Sequence, residues 1–401
     1  MKGKAILSGI LLFLASQFPA LSQPDAYLLG IADMNQKDYA SAIQHFTEGL
    51  QNENIKTQCL LNLGRIYYLQ GQYDNAVKDF LEAEKAKPAI ASYDLAKCYA
   101  KQGNLENTIY YLRNHLESSY KVPESVIKVE DAFAGLDKYK DWIALWQNEW
   151  YNKSEKTTAD ANYLVSSGDN VEAVDFVNKA LLHYPKSYDL YLARARAFNA
   201  LGNKRSALED YNTAIALNKR NAIFYEERGV LYTDLGKDRK AIDDFTKALK
   251  MKPELFDLYL KRAEAYKRYE DYNQALKDIQ MYKAFFPESE EAAFEAGQIY
   301  YELNKFDDAL AEFNPLIKKD PSKPEYYHAR GLTYFEMRNL DAAIQDFGQA
   351  LDLNPDLPET WYNKGLARFY KGDQEGACAD WKKARDLGHQ GASEYIGMYC
   401  K

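Results

Sequence analysis

The chain has 401 residues, of which 46% are hydrophobic and 27% charged, a balance typical of a folded protein and not of a disordered one. Its formal net charge of -8 argues against a nucleic-acid partner, because an acidic surface cannot neutralise phosphates. With 21 Gly and 12 Pro it has few turn formers for a barrel or sandwich of this length, so the composition favours helices.

The first 22 residues have the pattern of an export signal. Two lysines precede an apolar stretch at 5–15, and Ala20 and Ser22 are small residues at the two positions that a signal peptidase reads. The stretch is too short to span a bilayer, although an uncleaved anchor or a buried first helix would share its composition. No later apolar stretch has spanning length, so we expect an exported chain that begins at Gln23 and has no transmembrane segment.

Beyond residue 22 the sequence repeats a unit of about 34 residues. Aromatic, basic and small residues recur in it in fixed order, as at Tyr225, Arg228, Gly229 and Tyr232. Residues 23–391 would hold eleven units and leave a ten-residue remainder. The units begin near 23, 57, 89, 123 and 154, and then strictly at 188, 222, 256, 290, 324 and 358, with the remainder starting at 392.

Each unit is predicted to form two antiparallel helices, because apolar residues recur at three- and four-residue spacing. Small residues at positions 8 and 20 of the unit would let the two helices approach closely. A Pro near position 32 ends the second helix. One hairpin cannot bury its apolar face alone, so we expect the units to stack. The residue that ends the first helix in a left-handed conformation is a Gly or Asn near position 15: Gly71, Gly103, Gly168, Gly202, Gly236, Asn304 and Gly372.

This unit resembles the tetratricopeptide repeat, with its W-x2-L-G-x2-Y, A-x3-F and P pattern, and Trp361 supplies the Trp of that pattern in the last full unit. The last unit, at 372–381 with Leu387 and Gly388, looks like the closing repeat of exported tetratricopeptide proteins of Bacteroidota. The resemblance implies an all-α solenoid of about eleven helix-turn-helix units with a capping helix. It also implies a concave side that binds a protein or peptide. With the export signal it predicts a periplasmic or outer-membrane-associated protein of a Gram-negative envelope.

One unit departs from the pattern, because it lacks the small residues and Trp142 stands where position 20 should be small. Trp142, Trp146 and Trp150 lie four apart and would share one helical face, as a hydrophobic seam or as an exposed anchor for a partner. A Trp in a slot made for Ala predicts a kink there. The expected parts are a signal at 1–22, an N-terminal arm of about three units at 23–121, the divergent unit at 122–153, a regular array of seven units at 154–391 and a capping helix at 392–401.

A basic residue at position 7 recurs with an acid at position 23, and these positions face each other in an antiparallel hairpin. We interpret them as structural ion pairs between helices and not as a basic row for ligands, because each cation has its own counter-charge. Ala296 with Glu312 breaks the pattern once. The pairs are Arg194–Asp210, Arg228–Asp244, Arg262–Asp278, Arg330–Asp346 and Lys364–Asp380.

In the tetratricopeptide family, positions 2, 5, 9 and 12 of the first helix line the concave surface, so the resemblance predicts a binding groove there. In the C-terminal array position 2 is mostly acidic, and the other three positions become apolar towards the C-terminus, although some of these rings would pack between repeats instead. Such a trough would favour apolar anchors flanked by Lys or Arg. Cytosolic co-chaperones of this family bind a C-terminal carboxylate through a pattern of Lys and Asn residues. That pattern is not visible in this sequence. The predicted groove residues are Asp257, Leu260, Glu291, Phe294, Tyr301, Glu325, Leu332, Phe335, Glu359, Tyr362, Leu366 and Phe369.

The four cysteines form two candidate pairs, which an exported protein could oxidise. Cys59 and Cys98 lie at positions 3 and 10 of neighbouring first helices, about 10 Å apart along the axis, so they should stay reduced. Cys378 and Cys400 each lie eleven residues from His389, where the last turn should centre, so they fall opposite one another. We predict a disulfide between them that ties down the capping helix, the alternative being two buried thiols.

No catalytic motif is present in the sequence, neither H-E-x-x-H nor G-x-S-x-G nor a phosphate-binding glycine loop. The five histidines fall in different units, and the repeats leave no room for a catalytic domain. We therefore predict a protein that is not an enzyme and needs no cofactor or metal. Three functions remain open: a scaffold for an envelope complex, a periplasmic chaperone or carrier for unfolded proteins, and the binding subunit of an envelope enzyme.

Overall fold

The computed structural model describes residues 25–400, so the expected export signal and the start at Gln23 lie outside the described residues. All regular structure in the described range is helical, with 23 α-helices and two short 3₁₀ helices. The all-α class and the solenoid of helical hairpins are thus confirmed. No helix between residues 25 and 400 combines the length and the apolar content needed to cross a membrane.

Residues 25–117 form three helical hairpins. Their first helices end at residues with left-handed backbone: Lys37 has φ 61°, and Gly71 and Gly103 each have φ 73°. The helices are α1 (Ala26–Asn35), α2 (Tyr39–Gly49), α3 (Lys56–Leu69), α4 (Tyr73–Ala86), α5 (Ser92–Lys101) and α6 (Leu105–Glu117).

Residues 122–153 do not form a hairpin of two long helices, so ten of the eleven predicted units have that form. Gly135, at φ 74°, breaks the middle of the segment, and Pro123 precedes its first helix. Short elements replace the pair: α7 (Glu124–Lys128), 3₁₀ helices at Asp131–Phe133 and Leu136–Lys138, and α8 (Lys140–Leu145).

The three tryptophans do not share one helical face, so that prediction is wrong. Helix α8 ends at Leu145, and Trp150 lies beyond it in irregular chain, where its Nε1 donates to the carbonyl oxygen of Leu145 at 2.8 Å. Trp142 is buried 5.5 Å from the ring of Phe133, in a cluster with side chains of α5 and α6, and the other two tryptophans pack against it. The three tryptophans therefore form a hydrophobic seam against the preceding hairpin.

Residues 153–386 form seven further hairpins, followed by the expected capping helix. The chain divides into two compact units, one made of the residues up to Leu231 with Lys247–Glu254, the other of Tyr232–Thr246 with the residues from Leu255 onward. The helices are α9 (Lys153–Ser167), α10 (Asn170–His183), α11 (Tyr188–Ala200), α12 (Lys204–Leu217), α13 (Ala222–Asp234), α14 (Asp238–Met251), α15 (Asp257–Arg268), α16 (Tyr272–Phe285), α17 (Glu290–Glu302), α18 (Phe306–Lys319), α19 (Pro324–Glu336), α20 (Leu340–Leu353), α21 (Pro358–Lys371), α22 (Gln374–Asp386) and α23 (Ala392–Tyr399).

The small residue at position 8 lies against the large ring at position 24 of the same hairpin. A Cβ added to Gly297 would stand 2.4 Å from the fully buried ring of Phe313, and one added to Gly365 would stand 2.5 Å from Trp381. Such a clash would force the two helices of the hairpin apart. Glycine at position 8 therefore sets the distance between the helices.

The predicted ion pairs between positions 7 and 23 are confirmed in three hairpins. Arg330 donates through Nε and Nη2 to both oxygens of Asp346, at 2.7 and 2.8 Å, and through Nη1 to Asn314 of the preceding hairpin at 2.8 Å. Arg194 and Arg262 bind their acids in the same two-pronged way. Each arginine thus joins two helices of its own hairpin and the hairpin before it.

Two hairpins depart from this arrangement: the Lys364–Asp380 pair is looser, and Glu312 pairs with a residue other than Ala296. Lys364 lies 4.0 Å from Asp380, which instead accepts a hydrogen bond from Arg368 at 2.9 Å. Glu312, which faces Ala296, accepts from Lys283 at 2.6 Å. In these two hairpins the position-23 acid therefore accepts from a cation at another position.

Candidate partner-binding face

The predicted groove residues stand on four first helices of the second compact unit, α15, α17, α19 and α21. These helices begin at or just before position 2, where Ser289 caps α17 by accepting from the backbone N–H of Ala292 at 3.2 Å and Pro324 and Pro358 open the next two. Position 2 therefore lies in the first turn of each helix. We call the surface formed by positions 2, 5, 9 and 12 of these four helices the ladder face.

The position-2 acids of the ladder face, Asp257, Glu291, Glu325 and Glu359, are all exposed to solvent. Glu359 accepts from Nε2 of His389 at 2.9 Å. The other three form no ion pair with any residue between 25 and 400. The face therefore carries carboxylates whose charge the described chain leaves uncompensated.

The apolar residues of the ladder face are half-buried. The ring of Phe294 lies 5.3 Å from Tyr326 of the next first helix and 5.9 Å from Phe313. Phe335 lies 5.8 Å from the exposed Tyr370. These rings pack between neighbouring hairpins and keep part of their surface open, as Leu260, Tyr301 and Leu332 also do.

Three predicted groove residues lie beneath the capping helix. Tyr362 stacks on His389 at 4.1 Å, and Phe369 lies 4.5 Å from Tyr399 of α23. Leu366 belongs to the same cluster. The cap therefore contacts the C-terminal end of the ladder face, and the open apolar part lies on α15, α17 and α19.

Four polar residues of the ladder face are missing from the predicted groove: Glu264 and Lys267 at positions 9 and 12 of α15, Gln298 at position 9 of α17 and His328 at position 5 of α19. His328 contacts the hydroxyl of Thr360 through Nδ1 at 2.8 Å, and burial lowers its pKa. Gln298 lies 3.5 Å from Lys267, which is paired with Glu295. The four positions predict all of these residues once polar as well as apolar side chains are included.

The cysteine predictions are confirmed. Cys378 and Cys400 form a disulfide with Cα atoms 5.6 Å apart. Cys59 and Cys98 are free and buried, and burial raises the pKa of their thiols to about 11 and about 12. Within residues 25–400 no cluster of three or more His, Cys, Asp or Glu side chains could hold a metal ion.

Family models match several stretches of the chain. Models described as tetratricopeptide repeat match residues 27–89, 61–119, 192–255 and 324–357, and one described as TPR repeat matches residues 297–338. These matches together span more than half of the chain.

Similar curated proteins cover part of the chain. The Hsp70-Hsp90 organizing protein of Triticum aestivum is 24% identical over 214 residues, which are 50% of this chain and 35% of that protein. A TPR repeat-containing protein of Methanocaldococcus jannaschii is 23% identical over 197 residues, 48% of this chain and 32% of that protein. The chain thus spans about a third of the length of these relatives.

Solved structures of repeat proteins superpose on part of the chain. A tetratricopeptide repeat protein from Parabacteroides merdae superposes with a TM-score of 0.46 at 23% identity, over 62% of this chain and 99% of the other. The C-terminal part of a TPR repeat-containing protein from Cytophaga hutchinsonii superposes with a TM-score of 0.49 at 18% identity, over 59% of this chain and 98% of the other.

Proposed function

The chain belongs to the tetratricopeptide-repeat family, and on that premise we propose that it is an exported, non-enzymatic scaffold that binds a protein or peptide partner on the ladder face. Its role would be the assembly of a complex in the cell envelope. The signal pattern of the first 22 residues supports export. Helical hairpins make up most of the described chain, which supports a role in binding and not in catalysis.

The observation that carries this proposal is the row of position-2 acids beside half-buried apolar side chains. Asp257, Glu291 and Glu325 are exposed and lack an ion-pair partner among residues 25–400. Partly open rings such as Phe294 and Phe335 stand on the same helices. A segment with apolar anchors and flanking Lys or Arg would bury the rings and neutralise the acids.

The spacing of the hairpins sets the spacing of basic residues in such a segment. Phe294 on α17 contacts Tyr326 on α19, so successive first helices are packed against each other. Packed helices lie about 8–10 Å apart, and an extended chain advances about 3.3 Å per residue. One basic residue in every three would therefore meet one acid per hairpin.

An acid at position 2 could also be present because it stabilises its helix. A control variant can separate this effect on stability from an effect on partner binding. A carboxylate in the first turn stabilises its helix by about 0.3–1 kcal/mol. The second helices α18 and α22 also carry exposed acids in their first turns, Asp307 and Glu375, away from the ladder face. These two acids supply a matched control.

The test is a pull-down from an envelope fraction with the purified mature chain. We expect a stoichiometric partner with the native chain and with Asp307→Asn/Glu375→Gln. The variant Glu291→Gln/Glu325→Gln should recover about 3–10-fold less, because it loses two charge contacts at the interface. Equal recovery by both variants would contradict the proposal, and a mixture of unrelated clients would indicate a chaperone.

A further inference from the structure

A cleft of about 640 Å³ opens in the first compact unit where the irregular segment meets α9. The irregular segment at 122–153 packs its apolar side chains on α5 and α6. No hairpin of two long helices in the described chain therefore packs against α9 from its N-terminal side. Only Ala161 of α9 is fully buried, whereas α11 buries five residues. The cleft therefore results from the missing hairpin.

One carboxylate of the cleft has no counter-charge. Asp189 is half-buried and forms no hydrogen bond or ion pair with the residues between 25 and 400. Arg196 is near enough to affect it, but its Nε lies 3.0 Å and its Nη2 2.6 Å from the carboxylate of Glu227, which also accepts from the hydroxyl of Tyr211. Burial raises the pKa of Asp189, as expected of an uncompensated acid.

The other charged groups of the cleft are paired or exposed. Lys121 lies 3.1 Å from Glu155 and donates to the carbonyl oxygen of Trp150 at 2.7 Å. Glu124 is paired with Lys128. Lys156 and Asp160 are exposed and four residues apart on α9, so their charges offset each other. Asp189 therefore carries the one unpaired negative charge among these groups, which a single cation beside it would neutralise.

The walls suit a cation on an apolar stem. They include the rings of Tyr151 and Tyr163, with Tyr163 70% exposed, and the hydroxyls of Ser125, Ser154 and Ser187. A primary ammonium carries three donors, which a carboxylate and neighbouring hydroxyls can accept, and an aromatic face attracts it further. We propose that this cleft binds a lysine side chain of a partner protein, with its ammonium on Asp189 and its stem along Tyr163.

The experiment is an NMR titration of the mature chain with a blocked tripeptide that has a central lysine, and with its norleucine counterpart. We expect the lysine peptide to bind about tenfold tighter, because only it offers a charge to Asp189. The variant Asp189→Asn should abolish that preference, and Asp137→Asn, an exposed acid outside the cleft, should keep it. Tyr163→Ala should weaken both peptides.

Three outcomes would overturn the inference. The first is equal affinity for the lysine and norleucine peptides in the native chain, and the second is a lysine preference that persists in Asp189→Asn. The third is tighter binding of a matched peptide with a central arginine, which would assign the cleft to a guanidinium. Thermal unfolding of Asp189→Asn checks its folding, and we expect little change in stability, because removing a half-buried charge offsets the loss of a first-turn carboxylate of α11.

Discussion

At position 23 the state of a carboxylate depends on the residue at position 7. Asp278 receives two hydrogen bonds from Arg262, at 2.6 and 2.7 Å. Asp79 occupies the same position, but Leu63 stands sixteen residues before it in place of Arg. Burial raises the pKa of Asp79 to about 6, with only Lys78 opposing the shift. The sixteen-residue spacing made the pairs predictable from sequence, whereas the cost of a missing cation depends on burial.

Asp79→Asn should therefore stabilise the protein near neutral pH. The folded-state pKa of Asp79 lies above its ordinary value of 3.8, so the stability it contributes is present below that value and is lost as pH rises through about 6. We expect a gain of about 1–2 kcal/mol near pH 7 and almost none near pH 4, measured by thermal unfolding. Asp278→Asn is the control and should destabilise near pH 7, because it removes the carboxylate that accepts two hydrogen bonds from Arg262.

His115 shows the opposite dependence on pH. It is buried, its Nε2 accepts from the backbone N–H of Val122 at 3.0 Å, and burial lowers its pKa to about 4. Its contribution to stability is present above its ordinary pKa of 6.5 and is lost as pH falls from there through about 4. Hydrogen exchange should show protection at Val122 falling in this window. Unchanged protection down to pH values below about 4 would contradict this account.

At the scale of the helix, the turn between first and second helices requires one left-handed residue. Sequence patterns identified the Gly and Asn residues at position 15, and each of those has positive φ. The same conformation occurs at Lys37, Glu270 and Arg338, where no glycine marks it. The unit length predicts these turns, since a strict repeat places the helix end at the same position. It could not predict residues 122–153, where short helices replace the pair.

Glu270→Gly should stabilise the hairpin of α15 and α16. Its φ of 61° is strained for a residue with a Cβ, and its side chain is exposed. Glycine removes that strain at some cost in unfolded-state entropy, so we expect a net gain of about 0.5–1 kcal/mol in chemical unfolding. Gly202→Ala, where the added Cβ meets no atom within 4 Å, should lose about as much for conformational reasons alone. A loss in both variants would refute the explanation.

At the scale of the whole molecule, the sequence repeat was enough to predict the fold. It did not predict the non-local packing that covers part of the predicted groove. The disulfide was predictable because Cys378 and Cys400 each lie eleven residues from His389, at the turn between their helices. The covering of Tyr362 and Phe369 by the cap was not predictable from the repeat, because α23 lies outside the pattern. The exposure of the position-2 acids was predictable from the sequence alone, because a charged residue in the first turn of a helix is usually exposed whatever the packing of neighbouring elements.

Removing the disulfide should release the cap. Only Ala392 of α23 is fully buried, and the cross-link closes a separation of 22 residues. The chain-entropy model assigns such a loop about 3 kcal/mol. We expect Cys378→Ser/Cys400→Ser, and the native chain in reductant, to lose hydrogen-exchange protection in α23 while α15 to α20 keep theirs. Unchanged protection of α23 in both samples would show that packing alone holds the cap.

Binding of the partner to the ladder face can be measured by site-specific photo-crosslinking in an envelope extract. One variant carries the photoreactive residue at Phe335 on the face, and the other at Gln345, which is exposed on the second helix α20. If the ladder face binds the partner, we expect a discrete partner to be crosslinked from position 335, less of it at high salt, and none from position 345. Crosslinking of the same partner from both positions, or from position 345 alone, would contradict binding at the ladder face.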